Sequence, residues 1–292
     1  MSRAGEVCKE GCGKRKLPNG NCPAHLAEDG LPLQCVGPWA KDKHNYLRRY
    51  IDATAGPRSK YVEATPSRPR PGGAAFIDLF AGPGLARVDR TGEVIEGSPL
   101  IAAAHAKAPF TSLILCELDG ENAAALENRL ASARSRVHVV RGDTVANINE
   151  VAARIPQYGL NFALVDPFGP SCLRWETLEK LGRLPRMDLL IHFPTNPLKR
   201  LFQRDLDFDP MVGTEDWRCD VRSAGDVPRL VAHLQRSLER LGYTGAQTRA
   251  MPIENNQHGL LYHLVFASKH DRGDRIWNSI VKTEASGQRN LF

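Results

Sequence analysis

From residue 74 onward, short apolar runs alternate with amphipathic stretches. The runs are Ala74–Phe80, Ser112–Glu117, Val137–Val140, Phe162–Val165 and Met187–Phe193. Their length and near-continuous hydrophobicity suit strands buried on both faces. Between them, Ser98–Ala106, Gly120–Ala133, Val145–Ile155 and Arg174–Leu184 read as helices. This rhythm predicts a parallel, doubly wound sheet. A helical stretch, Val227–Leu241, precedes two further strand-like runs near Ala246–Ile253 and Leu260–Ser268. Their connector, Glu254-Asn-Asn-Gln-His-Gly259, is short and ends in Gly, which predicts an antiparallel hairpin. The expected fold class is therefore α/β: a Rossmann-like sheet of seven strands, five parallel plus an antiparallel C-terminal hairpin.

The N-terminal quarter lacks this rhythm. Residues 1–36 are rich in Cys, Gly and charge and read as a small module. Within 37–73, Trp39–Ile51 predicts an amphipathic helix, with Trp39, His44, Leu47 and Ile51 near helical spacing and Tyr46 and Tyr50 on a neighbouring stripe. Residues 65–73, TPSRPRPGG, form a linker. The main domain then spans 74–292.

Composition narrows the class. The chain is 42% hydrophobic and 25% charged, as a globular protein is. No apolar run approaches the ~20 residues that span a bilayer. The first residues contain no apolar h-region of a secretory signal, so a cytoplasmic protein without a membrane span is expected. Of 39 basic and 33 acidic residues, 13 and 7 fall in residues 1–73, leaving 26 of each beyond. The basic excess is thus local; it suits nucleic-acid phosphates or, equally, a solvated surface.

Seven cysteines, an odd number, argue against a disulfide scaffold. Cys116, Cys172 and Cys219 are scattered, but Cys8-x3-Cys12-x9-Cys22-x2-His25 has the ligand types and spacing of a tetrahedral zinc site. Cys35 is a possible replacement ligand. A segment this short has no core of its own, so metal would account for its order. Free cysteines in a tail remain the alternative.

Phe76-Ile-Asp-Leu-Phe-Ala-Gly-Pro-Gly84 places Asp78 inside an apolar strand and a Gly-rich turn, Phe80 to Gly84, at its end. Ligands of open α/β sheets bind outside the carboxyl ends of the strands. Gly82 and Gly84 let backbone approach a nucleoside closely, with Ala81 and Pro83 completing the turn. Glu117 ends the second strand and can hold both ribose hydroxyls. Asp143 follows the third strand and can accept from an adenine amine. Asp166-Pro167-Phe168-Gly169 follows the fourth. Neither a full dinucleotide fingerprint nor a phosphate-binding P-loop is present. The competing reading is a generic fold with surface carboxylates at loop starts.

Three segments together resemble the three-Cys-motif partner proteins: Asp78-Leu-Phe-Ala-Gly-Pro-Gly84, the Asp166-Pro-Phe-Gly169 turn, and the tail Phe266-Ala-Ser-Lys-His270 … Gly287-Gln-Arg-Asn-Leu-Phe292. The likeness runs from about Trp39 to the C-terminus. That family is a predicted group of S-adenosylmethionine-dependent methyltransferases, named for a separate radical-S-adenosylmethionine-like protein with three cysteines. The resemblance implies S-adenosyl-L-methionine as cofactor, methyl transfer as activity and such a protein as partner. Asp78 would then lie near the cationic methionine end of the cofactor, and Asp166 where the methyl group emerges. A non-catalytic adaptor role and a protein substrate stay open.

Asp166-Pro-Phe-Gly169 sits where amino-methyltransferases acting on nucleobases carry [D/N]-P-P-[Y/F], and is similar to the turn of the tRNA N2,N2-guanine dimethyltransferases. An exocyclic amine needs its hydrogens accepted, by Asp166 and nearby carbonyls, and its base stacked, by Phe168; this is positioning plus electrostatics. Asp166, Pro167, Phe168 and Gly169 are thus the expected catalytic turn, against the alternative that Phe168 is simply core. The Asp-Leu-Phe-Ala-Gly start also resembles DNA C5-cytosine methyltransferases. Their nucleophilic cysteine has no counterpart at the right place, so Cys172 reads as a structural thiol. His192 reads as a hydrogen-bonded framework histidine, and Ser268-Lys-His270 as a cap on the sheet edge. The N-terminal cysteines look like the Cys-Cys-Cys-His knuckles of bacterial nucleic-acid-associated proteins. Finally, Gln288-Arg-Asn-Leu-Phe292 is similar to peptides that dock on the bacterial sliding clamp, although such an end also simply packs on its own domain.

Overall fold

The structure, a computed structural model, describes residues 16–65, 67, 72–104, 107–202, 208–244, 248–255 and 259–282. In chain order the elements are β1 (Gln34–Val36), α1 (Ala40–Ala53), α2 (Ala55–Val62), β2 (Ala75–Asp78), β3 (Leu85–Val88), β4 (Val94–Glu96), α3 (Ser98–Ala104), β5 (Ser112–Glu117), α4 (Gly120–Arg129), β6 (Val137–Arg141), α5 (Thr144–Ala153), β7 (Asn161–Val165), α6 (Trp175–Gly182), β8 (Met187–Phe193), α7 (Thr195–Leu201), α8 (Asp209–Val212), α9 (Trp217–Asp220), α10 (Leu230–Glu239), β9 (Thr248–Glu254), β10 (Leu260–Ala267) and α11 (Asp271–Val281).

Seven strands form one sheet in the order β6-β5-β2-β7-β8-β10-β9. The five from β6 to β8 are parallel; β10 runs antiparallel to β8 and to β9, closing the edge as a hairpin. This is the expected Rossmann-like arrangement. The order reverses beside β2, so the ends of β2, β5, β6 and β7 open onto one crevice.

Alternation along the strands divides the core in two. Ile77, Ile114, Ala163, Ile191 and Val265 face α5, α6 and α10, where Val151, Leu178 and Leu234 meet them. Phe76, Leu115, Phe162, Leu190 and Phe266 face the other way, onto Leu47, Tyr50 and Ile51 of α1, Ile101 of α3, Leu126 of α4 and Trp277 of α11. Aromatic contacts tie that second face. The Tyr50 ring lies 4.8 Å from Phe162 and 5.0 Å from Phe266, and Trp277 stacks on Phe266 at 4.8 Å. The Tyr50 hydroxyl donates to Asp188 at 2.6 Å.

Three features depart from the sequence expectation. The helix expected to start at Trp39 starts at Ala40, and Trp39 stays exposed. Residues 16–36 do not stand apart from the sheet domain. β1 pairs in parallel with β3, which pairs antiparallel with β4, making a second, three-stranded sheet. Helix α11, unmarked by any motif, buries Trp277 and Ile280 beside α1. Among the described residues, no helix is long and apolar enough to cross a membrane.

Candidate functional site

β2 ends at Asp78, and the chain turns through the Gly-rich segment beneath the end of β5. Asp78 is fully buried. It accepts from the Ser98 hydroxyl at 2.6 Å and from the Phe80 N–H at 3.1 Å. Burial pushes its carboxyl up to about 7, against the pull of these two donors. Gly82 has φ +65°, a left-handed conformation that side chains resist, and its N–H donates to Glu117 Oε2 at 2.7 Å. Ala81 N–H donates to the Cys116 carbonyl at 2.9 Å, so the turn is held to β5 by two hydrogen bonds.

Glu117 closes β5 and is buried; its second oxygen accepts from the Asp119 N–H at 2.8 Å. Burial pushes this carboxyl up, and the backbone donors hold it down. Each carboxylate oxygen retains acceptor capacity beyond one N–H, so Glu117 can still receive hydroxyl hydrogens. Asp143 caps α5 by accepting from the Ala146 N–H at 3.0 Å.

These strand ends share a cavity of about 260 Å³, just under the usual ligand range of ~300–1,000 Å³. Phe80, Glu117, Asp143, Asp166, Pro167 and Phe168 line it, together with Cys172. The other predicted residues sit behind this lining. Asp78 accepts one protein donor on each oxygen and ties the turn to Ser98, while Ala81, Gly82, Pro83 and Gly84 are the buried body of that turn. Gly169 caps the short 3-10 turn that carries Cys172.

The cavity roof comes from the N-terminal segment. Lys16, Pro18, Asn19, Gly20 and β1 lie across it. Gly20 presses so closely on Phe168 that a Cβ there would stand 2.6 Å from the ring, and Lys16 Nζ lies 4.8 Å from the ring centroid. Phe168 is 54% exposed, which rules out the core reading. Arg129 clamps roof to floor. It grips Asp29 through two bonds of 2.8 and 2.9 Å, and donates to the carbonyls of Pro32 at 2.8 Å and Pro83 at 2.6 Å.

Of the four expected zinc ligands, Cys8 and Cys12 lie outside the described residues. Cys22 is buried with Ala27, Leu33 and Cys35 against Leu85, and His25 is half-exposed. Among the described residues, no group of three or more His, Cys, Asp or Glu is placed to hold a metal ion. The C-terminal Gln288–Phe292 also lies outside them.

Asp166 follows β7 and has two side-chain partners that are remote in sequence. Lys43 of α1 donates to Oδ2, and Nδ1 of His192 on β8 lies 2.6 Å from Oδ1. Burial alone would push this carboxyl up, but the Lys43 charge and the His192 hydrogen bond hold it well below the usual carboxylate range. Asp166 is therefore ionised. A carboxylate only accepts, so Nδ1 of His192 carries the hydrogen. The His192 ring lies 4.0 Å from that of Tyr262 on β10. Beside them, burial pushes the His44 imidazole down to about 3, keeping it neutral. His44 Nδ1 and the Tyr262 hydroxyl are buried without a hydrogen-bond partner among the described residues.

His192 is the hydrogen-bonded framework histidine expected from its strand-end position. Lys43 was missed, although it carries a signal. It shares a helical stripe with Tyr46, Leu47 and Tyr50, all buried, and a lysine on such a stripe has a partner inside. Ser268-Lys-His270 ends β10, where His270 caps α11 by accepting from the Arg272 N–H at 3.1 Å.

No family model and no curated protein matches the chain. Several solved structures are similar in fold. TYW2 of M. jannaschii in complex with AdoMet is 12% identical over 82% of this chain and 83% of its own, with a TM-score of 0.39. Trm1 from Pyrococcus horikoshii with S-adenosyl-L-methionine is 13% identical over 82% of this chain and 58% of its own, with a TM-score of 0.42. The O-methyltransferase from Bacillus cereus in complex with SAH is 12% identical over 77% and 90%, with a TM-score of 0.40. Likenesses this distant carry no argument about chemistry, which rests on the residues.

Proposed function

We propose that this protein is an S-adenosylmethionine-dependent methyltransferase acting on an amino group of a nucleic-acid base, and that it belongs with the three-Cys-motif partner proteins. The observation that carries the reading is one cavity that joins Glu117, at the end of β5, to an ionised Asp166 at the end of β7. Glu117 would hold the ribose hydroxyls, Asp143 the adenine amine, and the turn around Gly82 the methionine end. S-adenosylmethionine would supply an electrophilic methyl group. Asp166 would accept hydrogens of the acceptor amine and orient its lone pair, and Phe168 would stack on the base. Lys16 on the roof and the basic excess of residues 1–73 suit a nucleic-acid backbone nearby.

Three further parts of the reading rest on sequence. Zinc bound by Cys8, Cys12, Cys22 and His25 would order the segment that forms the roof. A radical-S-adenosylmethionine-like three-cysteine protein would be the partner. The tail Gln288–Phe292 would meet a sliding clamp or its own domain. A second reading, a cofactor-binding adaptor without catalysis, is favoured by one observation: Lys43 already occupies Asp166.

Calorimetry with S-adenosylmethionine and S-adenosylhomocysteine tests the reading, followed by transfer from labelled cofactor to bulk RNA and DNA and mass analysis of the nucleosides. Wild type should bind both ligands, and Glu117→Ala neither. Asp166→Ala should bind within a few-fold yet transfer nothing. Failure of wild type to bind either ligand would refute the methyltransferase. Binding without transfer to any polymer would favour the adaptor.

A further inference from the structure

Asp166 lines the cavity, whereas Lys43, His192 and Tyr262 lie outside its lining, with His44 close enough to feel the Asp166 charge. The Asp166 carboxylate thus borders two environments. On one side is the space read as the cofactor site. On the other is a polar cluster with two buried atoms, His44 Nδ1 and the Tyr262 hydroxyl, that have no hydrogen-bond partner among the described residues. Buried polar atoms without partners are costly and uncommon, and a pair of them beside one ionised group points to a ligand that completes the set. The nitrogen already on Asp166 is a primary amine, the same kind of group as the acceptor proposed for this site. The Lys43 side chain is 11% exposed, so the position is largely shielded from bulk water.

We propose, building on the methyltransferase reading, that this cluster is the methyl-acceptor subsite, that Lys43 Nζ holds the acceptor position in the free protein, and that Lys43 is thereby a self-methylation site. An external acceptor must displace Lys43 from Asp166 before it can react. Without one, the Lys43 ammonium gives a proton to water, and the freed lone pair forms a bond to the methyl carbon. The carbon–sulfur bond breaks with its electron pair on sulfur, neutral S-adenosylhomocysteine leaves, and the nitrogen becomes an N-methylammonium that carries the charge while the released proton stays in water. Asp166 keeps the nitrogen in place throughout. His192, bonded to the other carboxylate oxygen, fixes the direction in which Asp166 presents Oδ2.

The same placement has a consequence that needs no turnover. The Lys43 ammonium neutralises Asp166, which itself lines the space read as the cofactor site. Removing it exposes a carboxylate to the charged cofactor but changes little for its neutral product. A unit charge a few ångström away shifts a neighbour's equilibrium by roughly tenfold or more.

The full chain is incubated with trideuteromethyl S-adenosylmethionine, and its peptides are mapped by mass spectrometry. The label should appear on Lys43 in wild type and be absent from that peptide in Lys43→Arg. In parallel, calorimetry gives the affinity for S-adenosylmethionine relative to S-adenosylhomocysteine. Lys43→Met, or Lys43→Gln should the first not fold, should raise that ratio roughly tenfold. Cofactor binding with an unlabelled Lys43 peptide, or with label only on other lysines, overturns the proposal. So does an unchanged affinity ratio. Failure of wild type to bind either ligand is a different result: it removes the methyltransferase reading, and this inference falls with it.

Discussion

Replacing Asp78 by Asn tests how the turn is held, because the exchange removes a charge and little else. The asparagine oxygen can accept from the Phe80 N–H, and its amide can donate to the Ser98 oxygen once that hydroxyl rotates. What disappears is the cost of keeping a carboxylate ionised in a fully buried position. That carboxyl is carried from an ordinary 3.8 to about 7, so ionising it in place costs ~4 kcal/mol. The sign follows from proton binding. A carboxyl raised in the folded state holds its proton more tightly there than in the unfolded chain. Its stabilising contribution is present in full below 3.8 and is lost as pH rises through about 7. Between about pH 5 and pH 8 wild type should lose ~3 kcal/mol through this group. At ~2 °C per kcal/mol for a chain of this size, that is ~6 °C in Tm. Glu117 and Asp188, also pushed up by burial, are common to both proteins, so the difference in Tm isolates Asp78. Thermal melts across this range should show Asp78→Asn near or below wild type at the acidic end and several degrees above it at the alkaline end. S-adenosylmethionine affinity should stay within a few-fold, because Asp78 does not line the cavity. A Tm difference that does not change with pH would refute the reasoning. Loss of cofactor binding in Asp78→Asn would return Asp78 to the ligand contacts.

Two other outcomes are expected. Gly82→Ala forces a side chain into a left-handed conformation, with its Cβ 3.0 Å from the Gln34 side chain; ~1–2 kcal/mol of stability should be lost, and calorimetry should show weaker binding as the turn shifts from Glu117. If Cys8, Cys12, Cys22 and His25 hold zinc, elemental analysis of protein purified without added metal should find about one equivalent; metal retained after Cys8→Ser and Cys22→Ser together would discard that site.

The sheet was legible in the chain because each of its seven strands is a local event. Runs such as Leu113-Ile114-Leu115 and Leu189-Leu190-Ile191 mark themselves by hydrophobicity, and helical spacing between them leaves parallel pairing as the economical result. Because ligands meet such sheets at the strand ends, Glu117, Asp143 and Asp166 were legible too. What acts on those residues was not. Lys43 reaches Asp166 across 123 positions, and Asn21 meets Asn122 across 101. The roof rests on β1, three residues whose partner β3 lies some fifty positions on, too short for any periodicity to show. Asp78 shows the same limit: its place beside a Gly-rich turn is legible, whereas its hydrogen bond from Ser98, twenty positions on, is not. The chain by itself determined which strands form and where their ends gather, because hydrophobic periodicity is written residue by residue. Only the tertiary structure decided which charges neutralise one another there, because an ion pair depends on distance in space, and separation along the sequence does not record it.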